Sequence, residues 1–129
     1  MSANKDLTQS MFERFNALDA EGLSPLVSHG VKHSAPGTKF GVDLEGKSVF
    51  IAYFREKVFP KFEKVHFIPD NMYDDAEAGV VVTEWHGDFL TKAGKPFSSK
   101  GVFVVAITEG KIDWVREYFD TEKTKKAMS

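Results

Sequence analysis

Residues 79–120, GVVVTEWHGDFLTKAGKPFSSKGVFVVAITEGKIDWVREYFD, decide the fold of this chain. They are rich in valine, isoleucine and aromatic residues, which fit a pleated, half-buried surface. Turn signals at Ala93-Gly94 and Glu109-Gly110 divide the stretch with short connections, which favour antiparallel hairpins. The pattern predicts three long strands, over residues 80–90, 97–107 and 111–120. Strands of this length are uncommon in small domains, so we expect the sheet to curl and the N-terminal helices to fill its hollow face.

The chain before residue 79 shows helical periodicity and then a further strand. Apolar residues at spacings of four, four and three, from Leu7 to Leu18, predict a helix over residues 5–20. Asn4 is its expected N-cap and Gly22 its expected stop. The later predictions are a short helix capped by Ser24 and ended by Gly30, a strand at 31–35, a loop at 36–45 that includes Phe40, a helix at 46–59, a long strand at 62–73 with a bulge or sheet edge at Pro69, and a last helix at 121–128 capped by Thr121.

Composition narrows the class of protein. At 129 residues we expect one domain over residues 1–129, with enough chain to bury a core. The sequence has no cysteine, which excludes disulfides and thiolate metal sites, and its net charge of −2 does not favour nucleic acid or acidic membrane as a partner. No apolar run approaches the roughly 20 residues of a membrane span, and the N-terminus lacks the apolar core of a signal peptide. We therefore expect a cytoplasmic protein.

The order of these elements and several motifs resemble the nuclear transport factor 2-like superfamily, in particular its SnoaL-like and limonene-epoxide-hydrolase-like branches. Residues 15–23 resemble the end of the first helix of that family, and Gly46-Lys47 resembles the start of its long helix. Residues 101–103 and 110–120 resemble its last two strands. The resemblance implies an α+β cone, in which a strongly bent, mostly antiparallel sheet wraps around the N-terminal helices. It also implies a pocket for a small, mostly apolar molecule at the open end, no cofactor, and a homodimer through the outer face of the sheet.

Strand parity sorts the side chains between the two faces of the sheet. On the first long strand, Trp85 and Phe89 belong to the more apolar set, which we expect to face the cone, and Glu84 and His86 belong to the opposite set. On the last strand, Glu117 shares a face with Val115 and Phe119, and the resemblance places that face inside. The side chains expected to form the ligand-binding walls are Phe15, Leu18, Phe54, Trp85, Phe89, Ser99, Phe103 and Phe119.

Glu117 is the first candidate for chemistry. The resemblance places it where the epoxide hydrolases keep a catalytic aspartate, and a carboxylate among apolar residues is suited to act as a general acid or base. Tyr53 and His33 are the other catalytic candidates, because either could hold an oxygen atom of a ligand. The alternative is structural. Glu117 then pairs with Arg116 or with a lysine at the pocket rim, and Tyr53 and His33 belong to the core and the rim.

Departures from the named relatives leave two functions open. Trp85 and Gly87 stand where the epoxide hydrolases use an arginine and an aspartate, and the segment 34–36 supplies no acid where ketosteroid isomerases need one. His86 lies near two acids at metal-like spacing, but on the outer face, so we expect no metal site. The first function is an acid–base isomerase, cyclase or hydrolase that uses Glu117. The second is a ligand-binding or dimeric adaptor protein without catalysis.

Overall fold

The computed structural model describes residues 2–35 and 42–128. Its elements follow in the order α1 (Ala3–Asn16), a 3-10 helix (Glu21–Leu26), β1 (Val27–Ser34), β2 (Asp43–Glu45), α2 (Lys47–Tyr53), a π-helical turn (Phe54–Val58), a second 3-10 turn (Phe59–Lys61), β3 (Phe62–Asp75), β4 (Val80–Thr91), β5 (Pro96–Thr108), β6 (Lys111–Phe119) and α3 (Thr121–Met128). Within the described residues, no helix combines the length and the apolar character needed to cross a membrane.

The six strands form one curled, unclosed sheet in the order β2-β1-β6-β5-β4-β3. Only the β1–β6 pair is parallel among the described strand pairs. The predicted α+β cone is therefore confirmed, and so are its mostly antiparallel character and the four long strands. β3 lies at the sheet edge, and its register with β4 shifts between Pro69 and Asn71, so both features predicted at Pro69 are present.

Helix α1 fills the hollow of the sheet. Phe12 and Phe15 are fully buried, and their ring centroids lie 5.3 Å and 5.9 Å from the ring of Phe103 on β5. Asn16 fastens the end of α1 to edge strand β3, because its side-chain amide donates to the carbonyl of Phe67 at 3.0 Å and accepts from its N–H at 2.7 Å. The core therefore lies between α1 and the concave face.

Alternating burial along β4 confirms the predicted parity. Trp85 and Phe89 face the inside, whereas Glu84 and His86 are exposed. The indole of Trp85 lies over its cross-strand partner Gly101, where an added Cβ would sit 2.8 Å from Trp85 Cζ2 and 2.1 Å from the carbonyl oxygen of Tyr118. Only glycine leaves room for this close approach.

The boundaries of α1 differ from the prediction. Ser2, not Asn4, is the N-cap, and its hydroxyl accepts from the N–H of Lys5 at 3.1 Å. The helix ends at Asn16, before the expected stop at Gly22, because Leu18 adopts a left-handed conformation with φ of 55°. A left-handed residue just beyond a helix closes its last turn, and glycine usually fills that position. Leucine there gives no stop signal in the sequence.

The segment after α1 also differs from the prediction. The short helix begins at Glu21 without a side-chain cap, so Ser24 does not cap it, and Gly30 does not end it. Gly30 instead lies inside β1, within a register irregularity between Val27 and Lys32, because an isolated glycine suits a bulge as well as a helix end. Of the predicted loop, residues 43–45 form β2, which pairs with β1, whereas Phe40 lies outside the described residues.

Candidate active site

A cavity of about 170 Å³ opens where the concave face of the sheet meets the π-helical turn and α3. The interior surface is mostly aromatic and aliphatic. Its described lining residues are Phe15, Tyr53, Phe54, Lys57, Val58, Phe59, Lys61, Phe62, Val65, Phe67, Trp85, Phe89, Phe97, Ser99, Phe103, Glu117, Phe119, Thr124 and Met128. The volume is close to that of an engineered apolar cavity of about 150 Å³ that accepts benzene. The space therefore suits a molecule built on one aromatic ring with a short substituent.

Most of the wall residues expected from the sequence lie in this lining. The exception is Leu18, which packs against the core at the reversal after α1 and does not line the cavity. Of the three catalytic candidates, Glu117 and Tyr53 line the cavity, and His33 does not. His33 is 1% exposed and lies behind Glu117. The expectation that His33 could hold a ligand oxygen directly therefore does not fit its position.

Glu117 and His33 form the polar centre of the site. The side chain of Glu117 is 20% exposed, and its Oε1 lies 3.5 Å from Nε2 of His33. Neither ring nitrogen of His33 has a hydrogen-bond partner in the described part of the chain. Its ring is enclosed by aromatic neighbours and stacks on Phe54 at a centroid distance of 5.4 Å, with Tyr53 at 5.6 Å. The carboxylate of Glu117 therefore lies close to a buried imidazole without forming a hydrogen bond to it.

Tyr53 carries a strongly perturbed phenol. Burial of its hydroxyl, and secondarily the negative charge of Glu117, raise the pKa of Tyr53 from 10.0 to about 12. Both causes disfavour the phenolate, because an ion is poorly solvated in an apolar cavity and is repelled by a nearby carboxylate. Tyr53 therefore stays protonated at neutral pH and can donate a hydrogen bond.

Two further polar side chains of the lining have no hydrogen-bond partner within the described part of the chain. The indole N–H of Trp85 and the hydroxyl of Ser99 are buried without a hydrogen-bond partner among the described residues. An unsatisfied buried donor costs about 1–3 kcal/mol, so such atoms are commonly satisfied by water or by a ligand. Together with the hydroxyl of Tyr53, they can offer hydrogen bonds to an oxygen atom of a bound molecule.

The sequence did not single out the residues at the mouth of the cavity. Lys57 and Lys61 line it and are exposed, while Thr124 and Met128 approach from α3. The sequence predicts one regular helix over residues 46–59, and a regular helix gives no reason to place Lys57 at the mouth of the cavity. The chain leaves α-helical geometry after Tyr53, and π-helical segments commonly occur at functional sites. The parity argument, extended to β3 and β5, could have predicted that strand residues such as Phe62 and Phe97 line the cavity.

The contacts of Arg116, Asp120 and His86 show which structural roles the nearby acidic side chains have. Arg116 lies on the outer face, with its guanidinium 4.9 Å from the ring of Trp114, so it does not pair with Glu117. Asp120, for which the sequence also allows a capping role, caps α3 by accepting from the N–H of Lys123 at 3.1 Å, and Thr121 is the first residue of the helix. His86 pairs with Asp70 at 2.8 Å on the exposed face, and the described residues contain no group of side chains suited to hold a metal ion.

Comparison with known proteins identifies relatives of this architecture. The sequence model of the SnoaL-like domain matches residues 8–115. A search of curated proteins gave no significant match. Among solved structures, an NTF2-like protein of unknown function from Burkholderia pseudomallei is 20% identical, with a TM-score of 0.86 and coverage of 100% of this chain and 99% of that chain.

Two further structures carry a functional description. A candidate SnoaL-like polyketide cyclase from Jannaschia sp. is 14% identical, with a TM-score of 0.81 and coverage of 98% of this chain and 92% of that chain. The Δ5-3-ketosteroid isomerase from Mycobacterium sp. is 16% identical, with a TM-score of 0.78 and coverage of 95% and 97%, respectively. At these identities the likeness shows the shared fold.

Proposed function

This chain belongs to the SnoaL-like domain family, and we propose that it binds a small, mostly apolar carbonyl compound in the cavity and moves a proton on it with Glu117. The observation that carries the proposal is a carboxylate, 20% exposed and the only one among the described lining residues, in a cavity whose surface is mostly aromatic and aliphatic. Burying a charged group is costly unless it is paired or has a function, and active sites are where such groups concentrate.

The proposed step is proton abstraction from the carbon next to the carbonyl. The carboxylate of Glu117 takes the proton, the electron pair moves into a carbon–carbon double bond, and the carbonyl oxygen becomes an enolate oxygen. The buried donors of Trp85 and Ser99 supply hydrogen bonds to that oxygen, and the neutral phenol of Tyr53 can add another. In a β,γ-unsaturated carbonyl compound the enolate is conjugated with the alkene, and return of the proton from Glu117 to the γ-carbon completes an isomerisation. In a dicarbonyl compound the enolate carbon attacks the second carbonyl of the same molecule, and the resulting alkoxide takes the proton back from Glu117, which completes a cyclisation.

His33 would act as a positioning residue in this step. Its imidazole is 3.5 Å from Glu117 and encloses one side of the carboxylate without touching the cavity. We expect His33→Gln to slow proton transfer while leaving ligand binding intact, because the imidazole limits where the carboxylate can lie, whereas a packing role alone would change stability.

Hydrogen–deuterium exchange tests the proposal without knowledge of the natural product. The protein is incubated in D₂O with 1-indanone or 4-phenylbutan-2-one, and loss of the proton signal next to the carbonyl is followed by NMR. We expect exchange above the buffer rate and a decrease of about a hundredfold or more in Glu117→Gln, because general base catalysis typically contributes 10²–10⁴-fold. Glu63→Gln is the matched control, because Glu63 pairs with Lys92 at 3.2 Å on the surface.

The same experiment separates catalysis from binding alone. Saturable binding of the ketones without exchange, or equal exchange by Glu117→Gln and the wild-type protein, would refute proton transfer by Glu117 and favour a non-catalytic ligand-binding protein. Absence of both binding and exchange would refute the proposed use of the cavity. A homodimer and a cytoplasmic location remain predictions that this experiment does not address.

A further inference from the structure

We propose that the ligand of this cavity carries a carboxylate at one end, which Lys57 and Lys61 hold at the cavity mouth. The inference rests on the proposed function, because it assumes that a ligand occupies this cavity. It adds the chemical class of that ligand, a small aryl or alkyl carboxylic acid whose apolar part enters the cone.

Lys57 and Lys61 lie at the mouth of the cavity. Both side chains belong to the cavity lining, yet both are exposed, so they lie where the lining meets solvent. Lys57 lies in the π-helical turn, and Lys61 ends the 3-10 turn that follows it. This irregular segment therefore contributes two lysine side chains, as well as apolar ones, to the exposed part of the lining.

Lys57 and Lys61 differ from nearby basic side chains in having no acidic partner among the described residues. Neighbouring basic side chains have acidic partners: Arg55 contacts Glu21 at 2.9 Å, and Lys92 contacts Glu63 at 3.2 Å. Among the residues that the structure describes, no carboxylate lies within 4.0 Å of either Lys57 or Lys61. Within residues 2–35 and 42–128 these two cations have no counterion, which favours a local positive potential at the mouth of the cavity although the whole chain carries a net charge of −2.

The polar side chains of the described lining are mostly hydrogen-bond donors. Glu117 is the only acid among the described lining residues. The other polar atoms can all donate hydrogen bonds, and the lysines and the indole of Trp85 can only donate. A ligand with several acceptor oxygens complements this set. Because Glu117 would repel a carboxylate beside it, the anionic end belongs at the lysines and the reacting end beside Glu117.

A matched pair of ligands tests the inference. Calorimetry measures the affinity for 3-phenylpropanoate and for the neutral 3-phenylpropanamide, which has nearly the same shape, at neutral pH and low salt. We expect the acid to bind more tightly by up to about fivefold, which corresponds to the upper value of about 1 kcal/mol for an exposed ion pair. The preference should shrink as salt is added.

Variants assign the preference to the mouth. The double variant Lys57→Gln with Lys61→Gln should remove the preference for the acid, so that the acid and the amide bind with equal affinity. Lys100→Gln, an equal charge change at an exposed position of β5 outside the lining, should keep the preference. Equal binding of acid and amide by the wild-type protein, or a preference that survives in the double variant, would overturn the inference and leave proton transfer by Glu117 standing. Failure of both ligands to bind would overturn the inference together with the proposed use of the cavity.

Discussion

Titration of Tyr53 measures how strongly burial and the charge of Glu117 disfavour the phenolate of Tyr53. The rise in the pKa of Tyr53 from 10.0 to about 12 corresponds to at most about 2.7 kcal/mol of preference for the neutral phenol. Because the side chain is only partly buried, solvent screening reduces the share that appears in folding stability, to about 1–2 kcal/mol. Burial is the larger cause, so Glu117 accounts for less than half of the rise.

Glu117→Gln removes the negative charge near Tyr53, and NMR titration of the protein with ¹³C-labelled tyrosine measures the resulting pKa of Tyr53. The chain has three tyrosines, and Tyr53→Phe assigns the signal of Tyr53. We expect the pKa of Tyr53 to fall in Glu117→Gln, by less than about one unit, and to remain above 10 because burial persists. The exposed Tyr73, whose hydroxyl donates to Glu84 at 2.9 Å, is the internal control and should not change.

The direction of the stability effect follows from the same shift. The folded protein holds the phenol proton more tightly than the unfolded chain does. Its contribution to the free energy of unfolding is therefore complete below pH 10 and is lost as the pH rises through about 12. Urea unfolding should show this alkaline loss in the wild-type protein and less of it in Tyr53→Phe. A pKa of Tyr53 near 10, or one that Glu117→Gln leaves unchanged, would refute the reasoning that places a charged Glu117 beside a buried phenol.

Three further predictions concern packing, assembly and chemistry. Gly101→Ala should lower the free energy of unfolding by about 1–3 kcal/mol in urea titrations, because a Cβ there meets backbone, whereas Gly30→Ala, with no atom within 4 Å, should cost less; equal losses would contradict the packing argument. The protein should be a homodimer through the outer sheet face, and Val104→Glu should give a monomer mass by light scattering; a monomeric wild-type protein at micromolar concentration would contradict this. Limonene-type epoxides should not be hydrolysed efficiently, because Trp85 and Gly87 replace the arginine and aspartate which that chemistry requires; enzyme-like turnover measured by chromatography would disprove it.

The long strands were predictable because their signal is local and repeated. Alternation of apolar and polar residues predicted β4, β5 and β6 to within about one residue at each end, and parity grouped Trp85 with Phe89 on the face that lines the cavity, whereas the resemblance placed Glu117 there. The resemblance supplied what parity could not, since both faces of β6 carry apolar residues. Fold and cavity walls therefore followed from periodicity together with family motifs.

The remaining features depend on contacts that a local pattern does not encode. A left-handed Leu18 gives no signal of a helix end, and Gly30 looks the same in a bulge as at a stop. Regular helical spacing hides the π-helical turn that brings Lys57 to the cavity mouth. The approach of His33 to Glu117 requires the parallel pairing of β1 with β6, which only the folded topology reveals.

The central claim is that a small apolar carbonyl compound binds inside the cone, and the two tryptophans test it most directly. Trp85 belongs to the cavity lining, and its indole N–H has no hydrogen-bond partner among the residues that the structure describes, whereas that of Trp114 donates to the hydroxyl of Ser34 at 2.7 Å on the outer face. In a ¹H–¹⁵N correlation spectrum titrated with 1-indanone, we predict a saturable shift of the Trp85 indole signal and none of the Trp114 signal. An unmoved Trp85 signal, or a shift of Trp114 alone, would contradict the account.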